Sequence, residues 1–316
     1  MTIDTLPETI GAHSVPTVRR LDKRRFEWSS SALLLPAGIL LAAVFVYGVG
    51  YSFYIGLTNL SLLGPTAQHY AYTGTTNIHQ LIHDPVFFNS LWLTFIFVFG
   101  SGVIGATVIG LALALMMQRA LAAVRLFAGL IAMIAFMLPP VTIAVIWYAA
   151  SVPGGTFATL FGSPGADPLF AAPMVFVSLA NTWSLAGLSM LLFGAALRNI
   201  PGEVNEAATI EGVGVLRKFF GITLPLLKPT LVTSALLMTL LSLGNFTIIW
   251  LMTAGGPGNA TTILPVYSYQ QGFQFDHLAY GALLGNVMVI LTAIIGFGYV
   301  RAVRGRKEKT HTEANA

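Results

Sequence analysis

Six long apolar runs, none containing a charged side chain, dominate this chain of 316 residues. A hydrocarbon core of about 30 Å is crossed by about 20 helical residues, and each run is long enough for that. With 55% hydrophobic and 9% charged residues, the chain is too apolar for a soluble domain. We therefore predict an all-α polytopic membrane protein with six transmembrane helices. The predicted spans lie near residues 32–56, 87–117, 126–150, 170–197, 230–253 and 278–300.

The second predicted span, with its uncharged flanks, runs from Val86 to Gln118 and is longer than a bilayer requires. Within it, Gly102, Ala106 and Gly110 recur at four-residue spacing and so lie on one side of a helix. Small residues at this spacing let helix backbones approach closely in a membrane. We therefore predict that this helix is central, and that it tilts or extends beyond the membrane.

The basic residues predict the orientation of the chain. All 16 Lys and Arg residues lie before the first predicted span, between the second and third, between the fourth and fifth, or after the sixth. Because Lys and Arg near span ends stay in the cytoplasm, we predict that both termini are cytoplasmic. The net charge of +4 is then a signal of topology and not of nucleic-acid binding. The predicted segments are a cytoplasmic N-terminal segment, 1–30, a six-helix transmembrane domain, 31–301, and a cytoplasmic C-terminal tail, 302–316.

A polar stretch interrupts the apolar pattern between the fourth and fifth predicted spans, and we call residues 199–228 the docking loop. Pro201 suits the first turn of a helix, and Glu203 and Glu206 suit its positive end. Gly212 and Gly214 suit the termination of that helix. The pattern predicts a short helix, a tight corner and a second short helix on the cytoplasmic side.

One side of the first short helix is predicted to form a contact surface. Val204, Ala207, Ala208 and Glu211 recur at helical spacing, so we expect them to present a small, smooth surface to the outside, with acidic groups at its edge. Such a surface is suited to docking another protein. The alternative is a connector that merely reverses the chain between two spans.

The docking loop also carries a family motif. Three parts of the docking loop together resemble the signature loop of membrane subunits in type I ABC importers. They are Glu206-Ala207-Ala208, Gly212 after a gap of three residues, and Ile222-x-Leu224-Pro225. The resemblance implies that the first short helix is a coupling helix seated in a cleft of a cytosolic ATPase. Glu211 departs from the family, which usually has Asp there. The residues that the resemblance assigns to ATPase coupling are Glu206, Ala207, Ala208, Glu211, Gly212, Leu224 and Pro225.

The predicted membrane interior lacks ionisable groups. Every Asp, Glu and His lies outside the six predicted spans, whereas a proton- or ion-driven carrier keeps such groups inside the membrane. The chain has no phosphate-binding Gly-x-x-x-x-Gly-Lys-[Ser/Thr] loop, and it has no cysteine. We therefore predict a non-catalytic subunit without a cofactor or metal of its own, with ATP and Mg bound by partner ATPase subunits.

Uncharged polar residues remain inside the spans and suggest a pathway for a neutral polyol. Asn181, Ser184 and Leu188 share one helical face of the fourth predicted span, and Leu241, Ser242 and Asn245 are predicted to share one of the fifth. The alternative is that these groups join helices by hydrogen bonds worth about 0.6 to 2 kcal/mol each. The predicted pathway residues are Asn181, Trp183, Ser184, Leu188, Leu241, Ser242 and Asn245.

Further motifs resemble the carbohydrate branch of these importers, specifically the maltose-permease type of membrane subunit. They are Asn181-Thr-Trp183, Arg198-Asn-Ile-Pro201, Leu251-Met-Thr-Ala-Gly-Gly-Pro257 with Thr261-Thr262, Pro139-Pro140 with Trp147, and Asp84-Pro-Val-Phe-Phe-Asn89. The resemblance implies a translocation subunit of an ATP-driven importer for an oligo-, di- or monosaccharide. Leu185 and Leu188 depart from the glycine and tyrosine of the maltose-specific pattern, which argues against a maltose-like pose.

The resemblance also implies the partners and the location. We expect a second homologous permease subunit, a dimer of ABC ATPase subunits, an extracytoplasmic solute-binding protein, a carbohydrate substrate and membrane lipid, without nucleic acid. The location would be the inner or plasma membrane of a bacterial cell. One alternative is the same type of importer for glycerol phosphate, an amino sugar or another polar solute. A second alternative, a membrane-embedded enzyme or autonomous channel, fits poorly with the uncharged spans and the docking loop.

Overall fold

The computed structural model describes residues 23–160, 162 and 165–313, with side chains described for all of these except 23–34, 205 and 302–313. The described chain is helical, and its β pairing is limited to an isolated antiparallel bridge between Thr58 and Tyr72. The predicted all-α class is therefore confirmed. The predicted N-terminal segment lies outside the described residues up to position 22, as does the C-terminal tail beyond position 313.

Six helical segments in the described residues are long and apolar enough to cross a membrane. This confirms the predicted number. In chain order, the spans are Leu35–Gly56, Pro85–Gln118, Pro140–Leu160, Pro173–Arg198, Val215–Leu243 and Leu278–Arg301. The chain divides into two compact units, Met1–Gly50 and Tyr51–Ala316, and the helix Lys23–Gly56 is the element described for the first unit.

The helices of the second unit vary widely in length. The α-helices are Pro65–Gln68, Thr76–His83, Pro85–Phe95, Ala106–Gln118, Ala122–Met137, Pro140–Ser151, Thr156–Leu160, Pro168–Ala171, Pro173–Arg198, Gly202–Ile210, Val215–Lys218, Leu224–Leu243, Phe246–Thr253, Leu264–Tyr269 and Leu278–Glu313. Three π-helical segments join some of them end to end: Ile96–Gly105, Phe219–Thr223 and Gln270–Gln274.

The third predicted span was wrong as a single helix over 126–150. The structure contains two helices there, Ala122–Met137 and Pro140–Ser151. Leu138 and Pro139 are extended between them, with ψ angles of 133° and 141°. A proline has no N–H to donate and pushes the preceding residue out of the helical region, so the Pro139-Pro140 pair breaks the helix.

The fifth predicted span, 230–253, is also interrupted. Its helix begins earlier, at Leu224, and ends at Leu243, and a separate helix, Phe246–Thr253, follows. The break lies at Gly244 and Asn245, where Asn245 has φ −89° and ψ 64°. Glycine and asparagine both disfavour a helix interior, so the break falls at the two residues least suited to continue the helix.

The second span packs closely against the fourth and fifth spans, as predicted. Ala106 is fully buried, and a Cβ added at Gly102 would overlap the side chain of Ser242. A Cβ at Gly110 would overlap Ser189 of the fourth span. The small residues therefore permit close backbone approach on two sides, which explains the central position of this helix.

A π-helical segment, Ile96–Gly105, interrupts the second span at the level of this packing. The Ser101 hydroxyl donates to the carbonyl oxygen of Phe97 within the same segment. A π segment changes the direction in which the side chains of a helix point, and such segments are frequent at functional sites. Here it brings Ser101 to the fourth span, against Asn181 and Thr182.

Candidate functional site

The docking loop contains the predicted short helix, which runs from Gly202 to Ile210. Pro201 lies immediately before the helix instead of inside its first turn, while Glu203 lies in the first turn, as predicted. A carboxylate there is favourable because the free N–H groups of a helix N-terminus attract negative charge. The second short helix, Val215–Lys218, continues through Phe219–Thr223 into the fifth span.

The first short helix ends in a complete Schellman motif. The N–H of Gly212 donates to the carbonyl of Thr209 at 3.1 Å, and the N–H of Val213 donates to the carbonyl of Ala208 at 3.0 Å. Gly212 has φ +66°, in the left-handed region that this motif requires and that glycine adopts without strain. The predicted helix end is therefore confirmed at Gly212, whereas Gly214, with φ −63°, precedes the second short helix instead.

The predicted contact surface is partly wrong in its orientation. Glu206, Ala207 and Glu211 are exposed, as expected, but Ala208 is only 3% exposed and Val204 is half-buried. Val204 and Ala208 are four residues apart, so they form an apolar pair that turns inward. The outward face of the helix therefore carries Glu206, Ala207 and Glu211 without Ala208.

Large exposed apolar side chains surround this outward face, and the sequence analysis did not single them out. Ile210 is 87% exposed, Leu216 is 75% exposed, and Val215 and Phe220 are also exposed. A concentration of exposed apolar groups next to a polar helix is typical of a protein contact surface. The signal was present in the sequence as apolar residues within the polar stretch.

The last two predicted coupling residues connect the docking loop to the bundle. Leu224 is half-buried and packs against a cluster that contains Phe193, Leu197 and Leu227. Pro225 lies exposed in the first turn of the helix Leu224–Leu243, where no N–H is needed. A displacement of the docking loop would therefore be passed to the fourth and fifth spans through packed side chains.

A large cavity lies between the docking loop and the ends of the second and fourth spans. Its volume is about 1300 Å³, and its lining includes Arg119, Arg125, Arg198 and Lys218. The basic residues of two separate connections, between the second and third and between the fourth and fifth predicted spans, thus meet at one end of the bundle. That this end is cytoplasmic stays a prediction from the positive charges.

Four of the side chains near the middle of the bundle form one hydrogen-bonded group, which we call the asparagine network: Ser101, Asn181, Ser242 and Asn245. Asn181 Nδ2 donates to Ser101 Oγ at 2.8 Å and to Ser242 Oγ at 3.0 Å. Asn245 Nδ2 donates to Asn181 Oδ1 at 2.8 Å. Asn181 and Ser242 are fully buried, and both N–H groups of the Asn181 amide are used within the protein.

The predicted pathway residues are thus divided by the structure. Ser184 is buried with its hydroxyl donating to the Asn181 carbonyl at 2.8 Å, whereas Trp183 and Leu241 are exposed. The predicted shared face of Leu241, Ser242 and Asn245 is wrong, because Ser242 is buried and Asn245 lies beyond the end of the helix. Leu188 is half-buried next to Leu185. In this conformation Asn181 and Ser242 join helices, and their contact with a solute stays a prediction.

Ser101 is the network residue that the sequence analysis missed. It lies in the second span, 80 residues before Asn181, between Gly100 and Gly102. A serine flanked by glycines is a weak signal for close polar contact between helices. Its hydrogen bond to the fourth span depends on the π segment, which no sequence pattern predicts.

Trp183 belongs to a separate, apolar site. Its ring centroid lies 6.4 Å from that of Trp147, and both side chains line a cavity of about 440 Å³. The lining is otherwise almost entirely aliphatic, with residues of the second span, the Ala122–Met137 helix and the fourth span. The structure therefore separates Trp183 from the asparagine network.

Asp84 anchors the start of the second span. Its carboxylate accepts hydrogen bonds from the Tyr280 hydroxyl at 2.6 Å, from the Tyr267 hydroxyl and, at 2.9 Å, from the Val86 N–H. Burial alone would raise the pKa of Asp84, but these hydrogen bonds together lower it below its ordinary value. Burial and the Asp84 carboxylate both raise the pKa of Tyr267. The Asp84 motif therefore holds the second span to the segments around the sixth.

The Leu251–Pro257 motif with Thr261-Thr262 forms a compact loop. Both threonines are fully buried, and the Thr262 hydroxyl donates to the Gly255 carbonyl at 2.9 Å. The Thr253 and Thr261 hydroxyl oxygens lie 2.7 Å apart. The motif therefore serves to fold the chain between the fifth and sixth spans.

In the part of the chain that the structure describes, no group of three or more His, Asp and Glu side chains could hold a metal ion.

Comparison with known proteins connects this architecture with transport. Residues 106–309 match the family model described as "binding-protein-dependent transport system inner membrane component". The chain is 33% identical over 284 residues to the sulfoquinovosyl glycerol transport system permease protein of Agrobacterium fabrum, covering 86% of this chain and 89% of the relative. It is 30% identical over 290 residues to the sn-glycerol-3-phosphate transport system permease protein of Pectobacterium atrosepticum, covering 87% and 95%.

The fold is also similar to that of solved transporters. A chain in the crystal structure of a bacterial alginate ABC transporter, in complex with an alginate pentasaccharide-bound periplasmic protein, matches with a TM-score of 0.69. The match covers 89% of this chain and 96% of the other at 19% identity. A chain of the MetNI methionine ABC transporter matches with a TM-score of 0.52 at 20% identity, over 73% and 98% of the two chains.

Proposed function

The chain belongs to the family of binding-protein-dependent transport system inner membrane components, and from this premise we propose that its importer carries a carbohydrate. As a member of this family, the chain is a non-catalytic permease subunit with the fold of type I ABC importers, and it resides in the inner membrane. Hydrolysis of ATP belongs to a separate subunit.

The observation that carries the carbohydrate proposal is the asparagine network. Amides and hydroxyls from the second, fourth and fifth spans and from the segment after the fifth meet at one point, in a region of the sequence without charged residues. Uncharged donors and acceptors of this kind match the hydroxyls of a sugar. A solute that takes over the bonds of Asn181 would also have to bond Ser242 Oγ, which accepts from Asn181 and is fully buried, so that no buried polar group is left unsatisfied.

The names of similar proteins support the same class of solute. The relative from Agrobacterium fabrum is named for sulfoquinovosyl glycerol, and the solved transporter of similar fold is named for alginate. Both solutes are carbohydrates, and the alginate transporter is described as importing an acidic polysaccharide, so these names bear on the class of the solute and not on its charge. We assign an oligo-, di- or monosaccharide to this chain on the strength of these names together with the network.

The docking loop is proposed to couple ATPase closure to the opening of the pathway. Its outward face, with Glu206 and Ala207, would sit in a cleft of a cytosolic ATPase, and the apolar Ile210 and Leu216 would be covered by the same partner. We further propose a second homologous permease subunit, so that two docking loops contact a dimer of ATPases. A solute-binding protein would deliver the sugar on the opposite side, and both termini of this chain would be cytoplasmic.

Reconstitution of the co-purified complex tests the proposal. We expect proteoliposomes that contain ATP and are supplied with the solute-binding protein to take up a neutral sugar and to hydrolyse ATP faster in its presence. Uptake of tritiated glucose, maltose, trehalose and raffinose is the measurement. Absence of uptake of every neutral sugar, combined with uptake of glycerol 3-phosphate, would contradict the carbohydrate assignment.

Glycerol phosphate is the second candidate, because a relative at 30% identity is named for it. A phosphorylated solute needs a positive group along its path, and the six predicted spans contain no Lys or Arg. A partner subunit would have to supply that charge. The same uptake assay, with glycerol 3-phosphate and glycerol compared directly, separates the two candidates.

A further inference from the structure

Four aromatic side chains form a continuous strip beside the asparagine network: Phe246, Trp250, Tyr269 and Phe273. The rings of Phe246 and Trp250 stack, with centroids 5.5 Å apart and planes 16° apart. Trp250 meets Tyr269 edge-on at 4.7 Å, and Tyr269 lies 5.4 Å from Phe273. We call this group the aromatic strip.

The strip is built by two helical segments that each place an aromatic residue every four positions. Phe246 and Trp250 lie on the helix Phe246–Thr253, and Tyr269 and Phe273 lie on the segment that continues from Leu264 to Gln274. Residues four apart share a helical face, so each segment contributes one row of two rings. The contact between Trp250 and Tyr269 joins the rows.

One end of the strip adjoins the asparagine network and the other is open. Phe246 directly follows Asn245, whose amide donates to Asn181. Phe246, Trp250 and Tyr269 are half-buried, and Phe273 is 57% exposed. The strip thus leads from an exposed ring, in a connection without basic residues, to the polar group proposed to receive the solute.

The chemistry of the strip is that of a surface for sugar rings. The C–H faces of a pyranose pack on aromatic rings, while its hydroxyls need neutral hydrogen-bonding groups beside them. The asparagine network supplies such groups at the Phe246 end of the strip, whereas Gln270 Nε2 donates to the Ala254 carbonyl at 3.1 Å and Gln271 Oε1 lies 3.0 Å from His277 Nδ1. Neither helical segment contains a charged residue.

We propose that the aromatic strip is a binding subsite for the pyranose ring of the transported sugar, by which the sugar reaches the asparagine network from the side of the solute-binding protein. This inference rests on the proposed function, and it adds four residues to those assigned to the pathway. The strip packs the ring without fixing its hydroxyl pattern, so it favours passage over tight binding.

The test is uptake of tritiated glucose, maltose, trehalose and raffinose by the complete complex in proteoliposomes, at saturating sugar and solute-binding protein. We expect Trp250→Leu to lower the maximal uptake rate about tenfold, and Trp250→Phe, which keeps a flat ring, to stay within about twofold of wild type. The control is Trp92→Leu, because Trp92 is an exposed tryptophan stacked on Phe95 in the second span, outside the strip. We expect wild-type uptake from it.

Photo-crosslinking gives an independent result if Trp250→Leu does not assemble. We expect Phe273→p-benzoylphenylalanine to label the transported tritiated sugar, and the same replacement at Phe297, an exposed aromatic residue of the sixth span, not to label it. Equal labelling at the two positions would overturn the strip, as would full uptake by Trp250→Leu.

Two further outcomes separate the strip from its rivals. Loss of the second membrane subunit from the purified Trp250→Leu complex would mean that the strip is an interface between subunits, and this too would overturn the proposal. A wild-type complex that takes up glycerol 3-phosphate but none of the four sugars would contradict the proposed function itself. The strip would then fall with it.

Discussion

The docking loop and the asparagine network differ in how far apart along the chain their interacting residues lie. The hydrogen bonds that end the first short helix join residues within 208–213. Those of the network join residues separated by 80, 61 and 64 positions. Local geometry is accessible to sequence patterns, because residue preferences for turns and caps act over a few positions. The network depends on how three helices pack, and its hydrogen bonds cannot be inferred from any one of them.

The two regions also differ in what their polar groups contact. Glu206 and Glu211 are exposed, so they are accessible to a partner from outside the chain. Asn181 and Ser242 are fully buried, and they already bond to each other. A substitution in the loop should therefore affect coupling while the subunit stays folded, whereas a substitution near the network should affect the stability of the subunit itself.

Glu206→Lys should have the largest effect on transport. Reversal of an exposed charge at the proposed ATPase contact is expected to abolish uptake, a loss of more than about 100-fold, while the protein remains inserted and purifies normally. Glu203→Lys, in the first turn of the same helix, is the matched control and should retain most of the uptake. Measurement of sugar uptake in proteoliposomes decides the point. Full transport by Glu206→Lys would remove the coupling assignment.

Gly102→Val tests how closely the second span packs against the asparagine network. The new side chain would overlap Ser242, and overpacking of this kind costs about 1 to 3 kcal/mol. We expect a lower Tm for the detergent-solubilised subunit. Gly100→Val is the matched control, because a Cβ at Gly100 has no neighbour within 4 Å. If both variants unfold at the same temperature, the close packing of the second span against Ser242 is refuted.

Gly212→Val tests the Schellman motif. A β-branched residue in the left-handed region costs about 1 to 2 kcal/mol, so the helix end should distort and uptake should fall about tenfold. Gly214 offers the control, since it is equally exposed but has an ordinary φ of −63°. Gly214→Val should transport at close to the wild-type rate. Equal uptake by the two variants would mean that the shape of the corner is unimportant.

The smallest effect is expected for Asp84, where the change depends on pH. Its folded-state pKa is lowered, so its contribution to stability is present above the unfolded pKa of about 3.9 and is lost as pH falls through the folded value. Asp84→Asn should lower Tm slightly at pH 7, by an amount that shrinks below about pH 4. Solvent limits the difference to about 1 kcal/mol or less.

Asp167→Asn is the control for Asp84→Asn. Asp167 caps a helix by accepting from the Phe170 N–H at 3.1 Å, but it is exposed. Its variant should show a smaller Tm difference at pH 7. Thermal unfolding of the three proteins at pH 7 and at about pH 3, below the unfolded pKa, is the measurement, and an Asp84→Asn protein as stable as wild type at pH 7 would argue against the anchoring role.

Much of the fold could be predicted from hydropathy alone. The number of spans is correct because each run is long and uncharged, and the central position of the second span follows from its small residues. The third and fifth spans were predicted as unbroken helices, since hydropathy does not detect the breaks at Pro139 and at Gly244. Proline and glycine mark such breaks locally, and they should outweigh an unbroken apolar run.

A smaller part of the candidate site could be predicted from the sequence. The helix end at Gly212 follows from local residue preferences. The inward orientation of Ala208 does not, because helical spacing places Val204 and Ala208 on one face without indicating whether that face points inward or outward. The exposed Ile210 and Leu216 could have been found as apolar residues in a polar loop. Ser101 could not have been found in this way, since its position depends on a π segment that no residue pattern predicts.

The most direct test of the account concerns the outward face of the docking loop. The chain has no native cysteine, so Ala207→Cys introduces a single exposed thiol. We predict that a water-soluble maleimide labels this thiol rapidly in the isolated subunit, and at least about tenfold more slowly in the complex with the ATPase. Equal labelling rates in the subunit and in the complex would contradict the central claim that this loop is the contact through which the ATPase drives transport.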